Sequence, residues 1–329
     1  MDEIIAVNNL VKEYDGVTAV KSITFVVERG EIFGFLGPNG AGKTTTINIL
    51  CTLLKPTSGS AVLDGCDVVR NRDRVRESIG LVFQDPSLDD RLTARENLEF
   101  HAYAYRVPRE EKEARIHEVL EMVELLDREK DRVMTFSGGM KRRLEIARGL
   151  LHYPKVLFLD EPTVGLDPQT RNSIWEYIHE LKKKHDITIF LTTHYMDEAE
   201  NCDRIAIIDY GEIIALDSPE NLKSQVGGDV VKVTTTDDAR AEKVLLEEFD
   251  IEMIQDRECL CFEVESGEKF IPRFIRDFPV PVTSISVHRP TLDDVFLKLT
   301  GHEIRPEGAD SKADLRAFAR GFRGPAARR

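Results

Sequence analysis

The sequence contains no uninterrupted apolar run close to the ~20 residues that a membrane-spanning helix requires. No signal peptide follows the acidic residues Met1–Glu3. Basic residues are also too few to balance the acidic ones, since 45 Lys and Arg face 59 Asp and Glu, a net charge of −14. This deficit argues against nucleic acid as the main partner, because nucleic-acid-binding proteins carry a basic excess. We therefore expect a soluble chain that depends on another protein for any membrane role.

Cysteine is scarce as well, with five residues scattered along the 329 of the chain. An odd, dispersed set predicts free thiols in a reducing compartment rather than a disulfide framework. Cys259 and Cys261 are close enough to suggest a metal site, but no second Cys or His pair completes one, so strand packing is the preferred interpretation. The five cysteines are Cys51, Cys66, Cys202, Cys259 and Cys261.

One strong motif is present, Gly-x-x-x-x-Gly-Lys-Thr at residues 37–44. The apolar stretch Glu31–Leu36 before it predicts a buried strand, and Thr45–Leu50 after it predicts the start of a helix. A strand that turns on glycines into a helix directs backbone N–H groups and the positive end of the helix at one point, which suits phosphate. Lys43 would then reach the β- and γ-phosphates, and Thr44 would hold Mg²⁺.

Two acidic residues, Asp160 and Glu161, directly follow a second apolar strand predicted over Val156–Leu159. Functional groups of open α/β sheets collect at the carboxyl ends of the strands. Asp160 would reach Mg²⁺ through water, and Glu161 would polarise a water molecule as general base. The alternative is a pair of ordinary surface carboxylates. His194, which follows the predicted strand Ile187–Leu191, could hold the γ-phosphate and the attacking water.

Three further features are ambiguous on their own. Tyr14 could stack on an adenine ring, or it could end a half-buried strand. Gln84, at the end of a strand predicted over Ile79–Phe83, could ligate Mg²⁺ or position water, or it could be an ordinary polar residue. The run Ser137-Gly138-Gly139 opens a predicted helix, where it suits anion binding or serves as a plain N-cap.

Taken together and in this order, the motifs resemble the ATP-binding subunits of ABC transporters, over residues 4–225. The resemblance implies that ATP and Mg²⁺ are the cofactors. It implies that two subunits sandwich two ATP molecules, each between one subunit's phosphate loop and the other's Ser137-Gly138-Gly139. The implied catalytic residues are Glu161, His194 and Gln84. The implied metal-binding residues are Thr44, Gln84 and Asp160. The implied nucleotide-binding residues are Tyr14, Gly37, Pro38, Asn39, Gly40, Ala41, Gly42, Lys43, Thr44, Thr45, Ser137, Gly138, Gly139 and Asp167.

Two departures from the usual family pattern are informative. Met140 stands where the family usually has Gln, and Asp167 lies in a Val-Gly-Leu-Asp loop where Ser-Ala-Leu-Asp is commoner. With residues 141–144, Lys-Arg-Arg-Leu, and the stretch Pro290–Gly301, these departures resemble the branch that contains the daunorubicin/doxorubicin-resistance ATPase subunits. The resemblance implies drug export and does not name the cargo.

The predicted fold is α/β and has two domains. Residues 1–225 are expected to form a P-loop ABC ATPase domain, with a mixed sheet core and a helical subdomain. Residues 226–301 are expected to form a small ferredoxin-like α+β domain in the order β-α-β-β-α-β. No nucleophile, metal set or phosphate loop occurs there, so we expect it to serve interaction or dimer stabilisation. Residues 302–329 form a polar basic tail, which lies on an anionic membrane surface or remains disordered.

Three functions are compatible with the sequence. The favoured one is the ATPase of an exporter, peripheral at the cytoplasmic face of the membrane through a separate permease. It would pair with a second copy of itself, as a homodimer, or with a related subunit. The alternatives are the ATPase of an importer, which often carries a different C-terminal domain, and a soluble ABC ATPase, which usually carries two cassettes. A GTPase is disfavoured because no Asn-Lys-x-Asp motif occurs.

The permease contact is predicted at residues 85–97, directly after Gln84. Pro86, with Leu88 and Leu92 among polar residues, suggests a loop that moves between arrangements. The two leucines would enter a groove of a permease helix, or they would cap the core of this domain.

Overall fold

The computed structural model describes residues 2–84, 87–185, 187–249, 251, 253–254 and 260–301. The predictions for Asp85, Pro86, Cys259 and the tail from residue 302 lie outside the described residues. The strands, numbered along the chain, are β1 (Glu3–Tyr14), β2 (Val17–Glu28), β3 (Ile32–Leu36), β4 (Ser58–Leu63), β5 (Cys66–Asp67), β6 (Ile79–Val82), β7 (Val156–Asp160), β8 (Thr188–Thr193), β9 (Arg204–Asp209), β10 (Glu212–Asp217), β11 (Asp229–Thr235), β12 (Met253–Ile254), β13 (Leu260–Val264) and β14 (Val282–His288). The α-helices are α1 (Lys43–Leu50), α2 (Arg72–Ser78), α3 (Ala94–Ala104), α4 (Arg109–Met122), α5 (Gly138–Leu150), α6 (Pro168–His185), α7 (Met196–Ala199), α8 (Pro219–Ser224), α9 (Asp238–Phe249), α10 (Gly267–Asp277) and α11 (Leu292–Thr300).

The central sheet has the strand order β10-β9-β3-β8-β7-β6, in which β10 is antiparallel to β9 and the other neighbours are parallel. Strands β3, β7 and β8 are buried at every residue, because both faces of the sheet are covered. In the strand register, Leu36 pairs with Thr193, and Asp160 pairs with Thr192. The segments that follow these strands therefore leave one edge of the sheet side by side.

Each face of the central sheet has a different cover. On one face, the antiparallel sheet β2-β1-β4-β5 and helix α1 share an apolar cluster with the central strands. Five phenylalanine rings lie at its centre, and the centroids of contacting rings are 5.3 to 6.2 Å apart: Phe25, Phe33, Phe35, Phe158 and Phe190. The other face packs against α3, α4, α5 and α6 in a second cluster, called the larger core here, which includes Leu98, Leu120, Leu144, Ile178 and Leu191.

Several predicted elements have other bounds in the structure. Strands β1 and β2 have 12 residues each, because they pair with each other as one long hairpin. Strand β6 ends at Val82, one residue before the predicted end. Helix α4 ends at Met122, and a short 3₁₀ turn begins four residues later, at Leu126–Arg128. Helix α3 begins at Ala94, with a capping box between Thr93 and Glu96.

The C-terminal region has the predicted order β11-α9-β12-β13-α10-β14. Its strands form an antiparallel sheet in the order β12-β13-β11-β14, and α9 and α10 pack on it. This order is the ferredoxin-like pattern. The core of this unit is rich in phenylalanine, including Phe262 and Phe274, which are completely buried. Within the described residues, no helix combines the length and the apolar character that crossing a membrane requires.

Helix α11 packs differently from the rest of the C-terminal region. Its buried residues Leu292, Val295 and Phe296 belong to the larger core, where α11 contacts α7 and α8. Lys298 Nζ also donates to the carbonyl oxygens of Gln225 and Val226, at 3.0 and 2.8 Å. The last described helix is therefore attached to the unit that holds the central sheet, although it follows the ferredoxin-like strands in sequence.

Candidate active site

Glycine is required at two positions of the phosphate loop. A Cβ atom on Gly37 would overlap the carbonyl oxygen of Ile208. Gly42 has a φ of 108°, and a Cβ atom there would lie 2.6 Å from the carbonyl oxygen of Ala19. Helix α1 begins at the next residue, so the N–H groups of its first turn are directed at the loop. The backbone can thus curve around an anion only because these positions lack side chains.

Lys43 lies beneath this loop and is held by it. Its Nζ donates to the carbonyl oxygens of Gly37 and Pro38, at 2.8 and 3.1 Å. It also lies 3.2 Å from Glu161 Oε1, and the two side chains are only 4% and 5% exposed. A buried ammonium group held in this way is a cation to which a phosphate anion can bind.

Asp160 and Thr44 meet at the end of β7 and the start of α1. Thr44 Oγ1 donates to Asp160 Oδ1 at 3.4 Å, and Thr192 Oγ1 donates to the same oxygen at 2.6 Å. Burial raises the pKa of Asp160, against the opposing effect of the Thr192 hydrogen bond. A hydroxyl and a buried carboxylate are the hard oxygen donors that Mg²⁺ prefers, and a cation there would favour the ionised acid. The donor set therefore fits Mg²⁺.

Glu161 contacts Lys43 and His194, two residues that were expected to bind the phosphates. Its Oε1 lies 3.2 Å from Lys43 Nζ and 3.3 Å from His194 Nδ1. Burial raises the pKa of Glu161, but the neighbouring His194 and the charge of Lys43 outweigh burial, so the pKa lies below its usual value. The backbone at Glu161 is in the left-handed region, with a φ of 46°, and its N–H donates to Thr192 Oγ1 at 3.0 Å. This carboxylate is thus ionised and fixed at the sheet edge.

Two predicted site residues are exposed near this centre. Val82 pairs with Leu159, so Gln84 leaves the sheet beside the two acids, and its side chain is exposed. Tyr14 ends β1 with 40% of its surface exposed, opposite Val17 on β2, and the ring lies 4.9 Å from Lys12 Nζ. The same hairpin borders Gly42 at Ala19. An exposed aromatic ring in this place suits stacking on a base.

Ser137 and Asp167 both use their side chains as helix N-caps. Ser137 Oγ accepts a hydrogen bond from Met140 N at 3.2 Å and begins α5. Asp167 accepts from Thr170 N and Thr170 Oγ1, at 3.0 and 2.6 Å, and the hydroxyl lowers the pKa of Asp167. Gly139 lets the two helix starts approach, because a Cβ atom there would overlap Thr170 Cγ2. Ser137, Gly138 and Asp167 are exposed and form one surface.

Comparison with known proteins decides the family. A family model described as ABC transporter matches residues 20–164. The linearmycin resistance ATP-binding protein LnrL of Bacillus subtilis is 39% identical over 306 residues, which cover 90% of this chain and 98% of that protein. The chain belongs to the ABC transporter family. The daunorubicin/doxorubicin resistance ATP-binding protein DrrA of Streptomyces peucetius is 38% identical and covers 94% of this chain and 96% of its own.

Solved structures agree with this assignment. The ABC transporter component cbiO1 of Clostridium perfringens has a TM-score of 0.64 at 31% identity, over 75% of this chain and 96% of that chain. A dimeric, post-hydrolysis structure of the ATP-binding cassette MJ0796 with ADP and Pi has a TM-score of 0.59 at 31% identity, over 65% and 98%. This ABC protein is therefore an ATP-hydrolysing transporter subunit with the predicted α/β cassette fold.

Two polar residues of this ABC site, Thr192 and Glu198, were not identified from the sequence. Thr192 supports both acids, since it donates to Asp160 and accepts from the Glu161 backbone. The sequence feature that could have identified Thr192 is its position at the polar end of an otherwise apolar strand. Glu198, whose pKa is raised by burial, accepts from Thr193 Oγ1 at 2.7 Å and from Thr163 Oγ1, so it joins the loops on either side of the site. Met140, the departure from the family's Gln, is half-buried and packs against the larger core.

Proposed function

We propose that this subunit powers a membrane exporter, with two ATP-binding subunits that close on ATP and drive a separate permease. The observation that supports the chemistry best is the contact of Glu161 with Lys43 and His194 beside the Asp160–Thr44 pair. These groups have complementary roles: a cation for phosphate, oxygen donors for a metal and a base for water. Their position at adjacent strand ends lets them act on one triphosphate.

ATP binding would change the partner of Lys43. The γ-phosphate competes with Glu161 for the ammonium group, because it carries more negative charge than a carboxylate. Glu161 then keeps its contact with His194 and becomes available to a water molecule. Since its pKa is below the usual value, it is ionised at neutral pH and can accept the proton as the water attacks the γ-phosphorus. The products are ADP and inorganic phosphate.

Mg²⁺ would be held by Thr44 and Asp160, with Gln84 as a further oxygen donor. When bound, the ion neutralises charge on the phosphate oxygens. Thr192 holds Asp160 Oδ1 in place at 2.6 Å, so the carboxylate keeps its orientation. Orientation of a metal ligand by such a hydrogen bond is a general feature of metal sites.

Two subunits are proposed because Ser137 and Gly138, at the start of α5, are exposed on a different helix from the phosphate loop. A helix of 13 residues with a Gly-rich start would suit an anion, through the free N–H groups of its first turn. The ATP bound by a second subunit supplies one, which agrees with the dimeric cassette described above. Asp167 borders the same surface and would contact the same interface.

Export is favoured over import by the names of the relatives, which describe resistance to linearmycin, daunorubicin and doxorubicin. The test uses inside-out membrane vesicles that carry the full chain with its permease, with doxorubicin as the probe. We expect ATP-dependent accumulation of doxorubicin in these vesicles, and none with Lys43→Ala. ATP-dependent uptake by right-side-out vesicles would instead identify an importer, and no ATP-dependent movement in either orientation would contradict drug export.

The permease contact is proposed on residues 85–97 and the adjoining face of α3. Leu88 packs against the larger core, which supports the alternative interpretation of that residue. Phe100 and Tyr103 are 65% and 63% exposed and lie one helical turn apart on α3. This exposed aromatic pair supports a partner surface here, and a cytoplasmic helix of the permease would cover it.

Alanine substitution separates these two kinds of residue. Phe100→Ala with Tyr103→Ala should lower transport in the vesicles and leave the melting temperature and soluble ATPase activity unchanged. Leu88→Ala is the matched comparison and should lower the melting temperature, because it removes packing from the core. Normal transport by the double aromatic variant would remove this face from the interface.

A further inference from the structure

Arg142, on helix α5, is a buried guanidinium group whose donors reach two strand ends. Its Nη1 donates to Phe83 O at 2.6 Å, directly before Gln84. Its Nη2 donates to Asp160 O at 3.1 Å, and its Nε donates to Pro162 O at 2.7 Å. Arg142 thus holds the backbone at a proposed metal ligand, and on both sides of the proposed base Glu161.

Glu145, one turn further along α5, extends this hold. Its Oε2 accepts from Arg142 Nη1 at 3.1 Å, and its Oε1 accepts from Ser87 N at 2.7 Å. Arg148 donates to the Ser87 hydroxyl and to Leu81 O, the latter at 3.5 Å. All three charged residues are buried, Glu145 with only 1% exposure. One face of α5 therefore contacts β6, β7 and the first described residue of the segment after Gln84.

The positions of its acceptors show why a Lys side chain would not reproduce the contacts of Arg142. Burial lowers the pKa of Arg142, and the charge of Glu145 opposes that effect. The four acceptors lie around the guanidinium plane, and a planar fork can donate to all of them at once. An ammonium group keeps the charge, but from a single point it cannot reach the same set of acceptors.

We propose that Arg142 is a positioning residue for the metal side of the ATP site, with Glu145 as its counter-ion. It fixes the backbone at Phe83 and Asp160 relative to α5, so that the oxygens of Gln84 and Asp160 converge on one ion. The inference rests on the proposed function, in which these two residues bind Mg²⁺. Because α5 also begins at Ser137, the same contact joins the metal side of one ATP site to the helix start proposed to serve the other.

The closing experiment compares Arg142→Lys with Arg143→Lys in the full chain. Arg143 is the matched control: it is the next residue on α5, and it donates instead to Val123 O and Glu124 on the far side of the helix. Binding of AMP-PNP, a non-hydrolysable ATP analogue, is measured by calorimetry with Mg²⁺ and with EDTA. Turnover and KM for ATP are measured in parallel.

For Arg142→Lys, we expect the gain in AMP-PNP affinity from Mg²⁺ to fall by about 10- to 100-fold, the usual effect of removing a group that orients a metal ligand. The Mg²⁺-free affinity should stay at the wild-type value, because the phosphate loop is untouched. The kcat should fall by a similar factor with a smaller change in KM. Arg143→Lys should match wild type throughout.

Two results would overturn the inference. One is an Arg142→Lys variant with the same Mg²⁺ gain and kcat as Arg143→Lys. The other is an equal loss of AMP-PNP affinity with and without Mg²⁺, which would mean that Arg142 only supports the general fold. If wild-type protein itself gains nothing from Mg²⁺, the proposed metal site fails and the inference with it. That failure is distinguishable because it is already visible without any substitution.

Discussion

Replacing Glu161 with Gln should have opposite effects on ATP binding and on ATP hydrolysis. Lys43 Nζ lies 3.2 Å from the carboxylate, and both groups are buried. Loss of one partner from a buried pair costs about 3–5 kcal/mol, and we expect the lower end because Lys43 keeps two carbonyl acceptors. The free energy of unfolding without nucleotide should therefore fall by about 3 kcal/mol in Glu161→Gln.

ATP then binds a lysine that has no competing carboxylate. We expect the affinity of Glu161→Gln for ATP to equal or exceed that of wild type, by up to about tenfold, which is 1.4 kcal/mol. Turnover should fall by about 10²- to 10⁴-fold, since the amide cannot accept the proton of the water. The assays are calorimetry for binding, phosphate release for turnover and thermal melting for stability.

The stability loss should also depend on pH. The folded pKa of Glu161 lies below its usual value, so its ionised form stabilises the fold above the unfolded pKa. That contribution disappears as the pH falls through the folded pKa, and the difference between wild type and Glu161→Gln should narrow below about pH 4. Glu180→Gln, at an exposed residue paired with Lys184, is the control. Near-normal turnover by Glu161→Gln would refute the assignment of Glu161 as general base.

Three further substitutions test separate parts of the molecule. Lys43→Ala should weaken ATP binding by about 10- to 100-fold, the value of a lost charged hydrogen bond, and abolish hydrolysis; wild-type affinity would exclude the phosphate loop as the site. Thr192→Val should raise the Mg²⁺ concentration needed for half-maximal activity by about tenfold, whereas Thr188→Val on the same strand should not. Equal Mg²⁺ requirements of the two variants would show that Thr192 does not support Asp160. Phe296→Ala should lower the free energy of unfolding in urea by about 3–5 kcal/mol, and Leu297→Ala, at an exposed residue, should hardly change it. Equal free energies of unfolding for the two variants would place α11 outside the larger core.

The centre of the site could be predicted because its residues lie next to their strands in sequence. Gly37 to Thr44 follow β3 directly, Asp160 and Glu161 close β7, and His194 follows β8. The apolar composition of those strands shows that they are buried, and parallel strands bring their carboxyl ends to one edge. Local sequence was therefore enough to assemble the groups around Lys43.

Contacts between distant segments could not be predicted in the same way. Arg142 meets Phe83, 59 residues earlier in the chain, only after α5 has packed against β6. In sequence, Arg142 is one of three consecutive basic residues, and no pattern distinguishes the buried one from its neighbours. The length of β1 and β2 likewise depends on pairing between the strands, which apolar periodicity does not detect.

Helix α11 shows the same limit at the level of a whole element. In the structure it is a nine-residue helix with a capping box between Thr291 and Asp294. The sequence does not reveal which core its apolar face joins. That choice depends on the position of α8, where Lys298 binds the carbonyl oxygens at the helix end. Because α11 follows the ferredoxin-like strands but packs in the larger core, the domain division at residue 226 stays a prediction.

The shared ATP site is tested most directly by a mixed dimer, purified through two different tags. One subunit carries Ser137→Arg and the other carries Lys43→Ala. If each site takes its phosphate loop from one subunit and Ser137 from the other, both lesions fall on one site and the second site remains complete. The control dimer has both substitutions in the same subunit, which damages both sites. We predict ATP-driven closure and single-turnover hydrolysis in the first dimer and not in the second. Equal behaviour of the two dimers would contradict the shared site.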